Sequence, residues 1–254
     1  MIECGFEFEF GHDVSLDFIK QLIKLHYPKN KIYTITDDSY SDVLVSRNYF
    51  IFKKDASVHV LKCKNICTEM CTPVFSGKKN ILQNFQKIFK ILEILNVNTN
   101  YTCSLHINVG FSEDSEIDKI NLGKLYVFFN EHDNLKNFKR SKNTYCKPCI
   151  SISKCKQLLT GSDREVIKNI EKYLLFLEKS HNRAIALDKC KNNKLSIIEF
   201  RIIGGDYMNN FQKSYDLLQL ILDSMYFSIG KLDNVTIKQK IKQFKQLILE
   251  SSHE

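Results

Sequence analysis

Gly5, Phe6, Glu7, Phe8, Glu9 and Phe10 alternate between aromatic and acidic side chains, and that pattern reads as a β-strand. In a strand, residues i and i+2 share a face. Phe6, Phe8 and Phe10 are therefore expected in a core, with Glu7 and Glu9 together on the opposite face. Two carboxylates held that close repel each other unless a cation compensates, and divalent metal sites are often built this way.

Two later stretches repeat the arrangement. Over residues 102–109, Cys103, Leu105, Ile107 and Val109 alternate with Ser104, His106 and Asn108. Over residues 195–203, Glu199 stands between Ile198 and Phe200, with Arg201 two positions on, and the stretch ends in Gly204 and Gly205. A glutamate at such a position costs several kcal/mol if it is buried without a partner or a metal. Singly, Glu7 and Glu9 read as a solvent-facing strand edge, and His106 as a hydrogen-bonded structural histidine. Three strands of one chain, each bearing metal-competent groups on its polar face, make coincidence a weaker account.

The rest of the chain supplies a mixed framework. Apolar spacing predicts a helix over 13–26, capped by Asp13 or Ser15 and ended at Tyr27 and Pro28. Short strands are expected over 31–35, 49–53, 57–62 and 66–74, then a helix over 79–95. Residues 115–133 and 162–180 read as helical, the second opened by a capping box of Ser162 and Glu165. Two amphipathic helices are expected over 210–229 and 236–251. With no internal repeat and no Pro/Gly/Ser linker, one domain spanning 1–254 is the simplest reading. Strand blocks separated by helices argue for an antiparallel or mixed sheet with one polar face.

Composition narrows the setting. The 254 residues are 43% hydrophobic and 26% charged, as in an ordinary globular protein. No apolar run has transmembrane length and the first residues lack signal-peptide character, so a cytoplasmic location without a membrane partner is expected. Nine cysteines then read as free thiols in a reducing compartment. Cys146 and Cys149 have the spacing of half a zinc knuckle or a redox pair, but ordinary thiols are the favoured reading. His12, His59, His132 and His253 are expected at the surface. The formal net charge of +8 would attract nucleic acid or an anionic substrate such as a nucleotide. The lysines nevertheless form no compact run interleaved with aromatics, which favours a solvated surface over a nucleic-acid site. No phosphate loop of the Gly-x-x-x-x-Gly-Lys type occurs.

The ordered set of segments 5–10, 54–57 (with Asp55 and Ser57), 68–73 (with Thr68 and Glu69), 103–110, 140–146, 181–187 and 198–203 resembles the amidoligases. These are similar in their catalytic domain to glutamine synthetase and glutamate–cysteine ligase. The resemblance covers roughly residues 4–225, and it lies in the order of the motifs rather than in any one of them. It implies an α+β fold: a curved, mainly antiparallel β-sheet with helices packed on its convex face and the active site on the concave one. It also implies an ATP-dependent carboxylate–amine ligase working through an acyl phosphate, with two magnesium ions, or manganese in their place. By the family pattern, Glu7, His106 and Glu199 would hold one ion beside the nucleotide phosphates, and Glu9 and Glu69 a second near the substrate carboxylate. Arg201 would neutralise phosphate oxygens, with Arg140 and Arg183 as further candidates. Asp55 would position the amine or take its proton. Asn108 stands where the family often has a second histidine, and can hydrogen-bond a phosphate or base without carrying charge. The partners implied are ATP, a carboxylate and an amine, whose identities stay open. The rival readings are a protein that keeps this fold as a structural or binding component, and a metal-dependent nuclease.

Overall fold

In the computed structural model, β1 (Ile2–Phe10) is the strand its alternation predicts. The structure describes residues 1–35, 47–54, 57–60, 67–113, 116, 118–140, 143, 146–177, 182–187, 190–191, 194–195, 197–230 and 234–250. Around β1 lies an eight-stranded sheet with the order β2-β3-β4-β1-β6-β10-β7, and β5 also pairs with β1. The strands are β2 (Lys31–Ile35), β3 (Tyr49–Lys54), β4 (Thr68–Cys71), β5 (Phe75–Ser76), β6 (Ser104–Phe111), β7 (Ile185–Ala186) and β10 (Ile198–Gly204). A small hairpin, β8 (Cys190–Lys191) with β9 (Lys194–Leu195), stands apart from it. The pairs β1–β4, β1–β5, β3–β4 and β7–β10 are antiparallel, whereas β2–β3 is parallel. The expectation of a mixed, mostly antiparallel sheet with packed helices holds. Among the described residues, no helix is long and apolar enough to cross a membrane.

The chain divides into two compact units, residues 1–109 with 203–216 and residues 110–202 with 217–254. In the first, Phe6, Phe8 and Phe10 are fully buried. Phe6 meets Phe85 with ring centroids 5.1 Å apart, and Phe8 meets Phe89 at 5.7 Å. Both partners come from α2 (Lys78–Ile94), which turns Ile81, Leu82, Phe85, Ile88, Phe89 and Leu92 to this core, the spacing of one helix face. Its N-cap, Gly77, has φ +83°, a left-handed conformation in which glycine meets no side-chain penalty. α1 (Leu16–His26) buries Ile19 and Ile23 and is capped by Ser15, whose hydroxyl accepts from the Phe18 N–H. Asp13 is not the cap. Pro28 has no N–H with which to prolong the helix beyond Tyr27.

The second unit is largely helical: α3 (Leu122–Phe129), α4 (Glu131–Asn137), α5 (Ile152–Leu158), α6 (Asp163–Leu175) and α8 (Asn234–Glu250), with the later part of α7 (Phe211–Ile229). The capping box at Ser162 and Glu165 is present in both directions. Where one helix is expected over 115–133, Asn130 takes φ +50° and separates α3 from α4. No strand forms over 57–60, and the neighbouring residues 61–66 lie outside the described residues.

Candidate functional site

β1, β3, β4 and β6 carry their polar side chains to one face of the first unit. The antiparallel register sets Glu69 opposite both Glu9 on β1 and Lys53 on β3, and Cys71 opposite Glu7. On β6 the alternation turns Leu105, Ile107 and Val109 into the core, as expected, and Cys103 just before the strand is buried with them. Ser104, His106 and Asn108 take the other face. Both Glu9 and Glu69 are buried there, exposed by only 6% and 7%, as is His106 at 4%. These carboxylates cannot depend on water for their solvation, so neighbouring side chains must supply it.

The supply is specific. Ser104 Oγ donates to Glu9 Oε2 at 2.7 Å, and His106 Nε2 lies 2.8 Å from the same hydroxyl. His106 Nδ1 is 3.2 Å from Glu7 Oε2, and Asn108 Nδ2 donates to Glu7 Oε1 at 2.9 Å. Lys53 Nζ meets Glu69 Oε1 at 2.7 Å, while the Cys71 thiol donates to that oxygen at 3.2 Å. Burial works against the Lys53 charge, but Glu69, Cys71 and Glu7 outweigh it and hold the ammonium above its usual value. Burial and the Glu7 carboxylate push Glu69 upward against the pull of Lys53. From the 3-10 turn Tyr207–Asn209, the Tyr207 hydroxyl donates to the Glu9 carbonyl at 2.8 Å and ties β1 from behind.

Glu7, Glu69 and Cys71 offer ligand atoms within 4.8 Å of one another. Among the described residues, the acidic side chains of Glu7, Glu9 and Glu69 gather beside the ammonium of Lys53, a set that a divalent cation would complement. Carboxylate oxygens suit magnesium, and an imidazole or thiol beside them widens the choice to manganese or zinc. The residues fit a divalent ion.

The remaining candidates belong to the second unit, apart from Asp55. Glu199 on β10 is 1% exposed, and Arg201 Nη1 lies 3.4 Å from its Oε1. Arg140 is buried, and its Nε and that of Arg201 have no hydrogen-bond partner among the described residues. Arg183 spends Nη1 on the carbonyls of Pro148 at 3.0 Å and Cys149 at 3.3 Å, clamping that turn. Asp55 lies outside the described residues.

Three neighbours on the metal-competent face did not figure among the sequence candidates. Ser104 was findable, because it lies two residues along a strand from His106, whereas Lys53 needed the β3–β4 register. Cys71 needed the β1–β4 register. Two expectations are corrected. His12 is buried, not at the surface: Nδ1 meets the Val14 carbonyl at 2.7 Å and Nε2 meets Thr68 Oγ1 at 3.1 Å. His132 is half-buried and bonded to the Ile150 carbonyl at 2.8 Å. The thiols of Cys146 and Cys149 donate to different carbonyls, Arg201 at 3.2 Å and Ile185 at 3.1 Å, an arrangement of ordinary buried thiols.

No protein-family model matches the chain, and a comparison with curated proteins finds no match.

Proposed function

We propose that the chain is an ATP-dependent carboxylate–amine ligase of the amidoligase kind, built on a sheet like that of the glutamine synthetase catalytic domain. The observation that supports this most is the buried polar face on which Glu7, Glu9, Glu69 and His106 meet beside the ammonium of Lys53. A structural scaffold has no physical need to collect carboxylates that repel one another.

In this reading Glu7 and His106 hold one magnesium ion, with Glu199 added by the family resemblance, and Glu9 and Glu69 hold a second. Bound magnesium would neutralise phosphate oxygens and lower the cost of charge movement during phosphoryl transfer. Lys53 meets Glu69 Oε1 at 2.7 Å and aims that carboxylate. Asn108 and Ser104 fix the carboxylates of Glu7 and Glu9, so that little reorganisation remains when substrate arrives. A poorly hydrated face would also protect an activated carboxyl from water until the amine attacks. Arg201 and Arg140 are the candidate phosphate partners; Asp55 is the candidate for the amine and its proton.

The decisive experiment supplies ATP and Mg2+ with pooled acids and amines, following ADP, phosphate and condensed product. Amine-dependent release of ADP and phosphate is expected, and Glu7→Gln, still folded, should lose about a hundredfold or more of the rate. If calorimetry with a nonhydrolysable ATP analogue and Mg2+ finds no binding at millimolar concentration, the ligase reading falls. The bonds of Glu69 to Lys53 and of Glu7 to Asn108 favour one rival, a binding protein whose carboxylates are satisfied internally. DNA cleavage without ATP would favour the nuclease instead.

A further inference from the structure

We infer that the acid activated on this face carries a planar ring, and that Tyr33 and Tyr49 are the platform against which the ring lies. The inference rests on the ligase reading and extends it to the chemical class of the substrate.

The strand registers carry the polar face outward from the carboxylates. Glu9 stands opposite Glu69, Glu69 opposite Lys53, and Lys53 opposite Ile35 on β2. The next row runs from Glu7 through Cys71 and Ile51 to Tyr33. Residues opposite one another in paired strands share a face of the sheet, so both rows change character in the same direction, from ionic on β1 and β4 to aliphatic and aromatic toward β2. At the outer end the Tyr33 ring meets that of Tyr49, with centroids 4.7 Å apart and planes inclined by 57°. The Lys31 ammonium lies 5.7 Å from the centre of the Tyr49 ring. Aromatic rings that served packing alone would gain more on the opposite face of β3, where Phe50 and Phe52 are fully buried. Tyr33 instead stays 44% exposed, which leaves its ring open to a flat group stacked or set edge-on against it. A molecule lying along these rows would put its ring on the tyrosines and its carboxylate at the ion held by Glu9 and Glu69. Two strand spacings across and two residues along separate Tyr33 from Glu69, about 12 Å. Ring and carboxyl must therefore be joined by a spacer of several atoms. Lys31 repels a cationic ring, so the ring is neutral or anionic.

Phenyloctanoate, which when extended holds its ring and carboxylate at about this separation, is the probe, followed by calorimetry with the full chain and Mg2+. It should bind about threefold to tenfold tighter than cyclohexyloctanoate, which matches it in size but offers no aromatic face. Tyr33→Leu should bring the two acids to within about twofold of each other, whereas Tyr33→Phe, which keeps the ring, should retain the preference. Removal of Mg2+ should weaken both acids. Equal affinities in the unaltered protein, no binding of phenyloctanoate at millimolar concentration, or a preference that survives in both Tyr33→Leu and Tyr49→Leu overturns the inference. A preference that depends on Tyr33 but ignores Mg2+ overturns the ligase reading and leaves the ring platform standing. Amine-dependent ADP release that is as fast with octanoate as with phenyloctanoate overturns the inference and leaves the ligase reading standing.

Discussion

Lys53 faces Glu69 across the β3–β4 ladder, and the ammonium is what makes a carboxylate tolerable at so buried a position. Replacing it by a side chain of similar length without charge should expose how much. In Lys53→Met, Glu69 loses its nearest cation while Glu7 still repels it, so its carboxyl is pushed further upward. A folded-state value raised above the unfolded one destabilises the native state from the ordinary carboxylate range upward. The variant should therefore lose on the order of 3 kcal/mol near neutral pH, and this loss should shrink as pH falls below about 4, where the carboxyl is neutral in both states. Urea unfolding at the two pH values checks this; an equal deficit at both would mean that packing, not charge, sets the effect. Divalent ions offer a second readout. If Glu69 is a metal ligand, Mn2+ should stabilise Lys53→Met more than the unaltered protein, because the ion then replaces a missing charge.

Most elements could be read from the chain before their arrangement was known. The strands around Glu7, His106 and Glu199 announce themselves by strict alternation, and α1, α2 and α6 by apolar spacing with Ser15 or Ser162 at the start. Three features escaped for physical reasons. A helix over 115–133 looks continuous because Asn130 is not a strong breaker, yet asparagine tolerates the left-handed conformation it adopts there. The seven-residue α5, with Cys155 its buried residue, is too short to show a period. The parallel pairing of β2 with β3 is invisible in sequence, since register and strand order come from tertiary packing. The same holds for the site: alternation assigns a face to each residue, but only the register brings Cys71 beside Glu7. Gly205, just past β10, shows how tightly such a register is held. A β-carbon there would lie 1.5 Å from the Asn100 carbonyl oxygen, so Gly205→Ala must push two backbone segments apart. A loss of about 3 kcal/mol or more is expected in denaturant midpoint, or failure to fold; a near-neutral change would show that the approach is looser than described.

Stability of the second unit as a whole should depend on pH through Glu131. Its carboxyl is fully buried and accepts the Cys149 N–H at 2.8 and 3.0 Å and the Tyr126 hydroxyl at 3.0 Å. Burial wins over these bonds and raises it from an ordinary 4.5 to about 7. The native state thus holds a proton that the unfolded chain releases between those values, and unfolding becomes easier as pH rises through that window. The slope amounts to about 3 kcal/mol in total, complete above the native value. Glu131→Gln should flatten it, as followed by the denaturation midpoint between acid and neutral pH; an unaltered slope would assign it to another group. Outside that window the unit should be insensitive to Glu131.

Burial also raises the thiols of Cys4, Cys103, Cys146, Cys149 and Cys155, to about 11 for Cys103 and Cys146 and about 12 for Cys155. Because the thiolate is the reactive form, an alkylating reagent should find these five sulfurs almost inert in the native protein. Each becomes labelled only when its segment opens. Since Cys4 and Cys103 sit in the first unit and Cys146, Cys149 and Cys155 in the second, the chain carries its own set of chemical clocks. Mass spectrometry of the alkylated peptides would time the opening of each unit without any added probe.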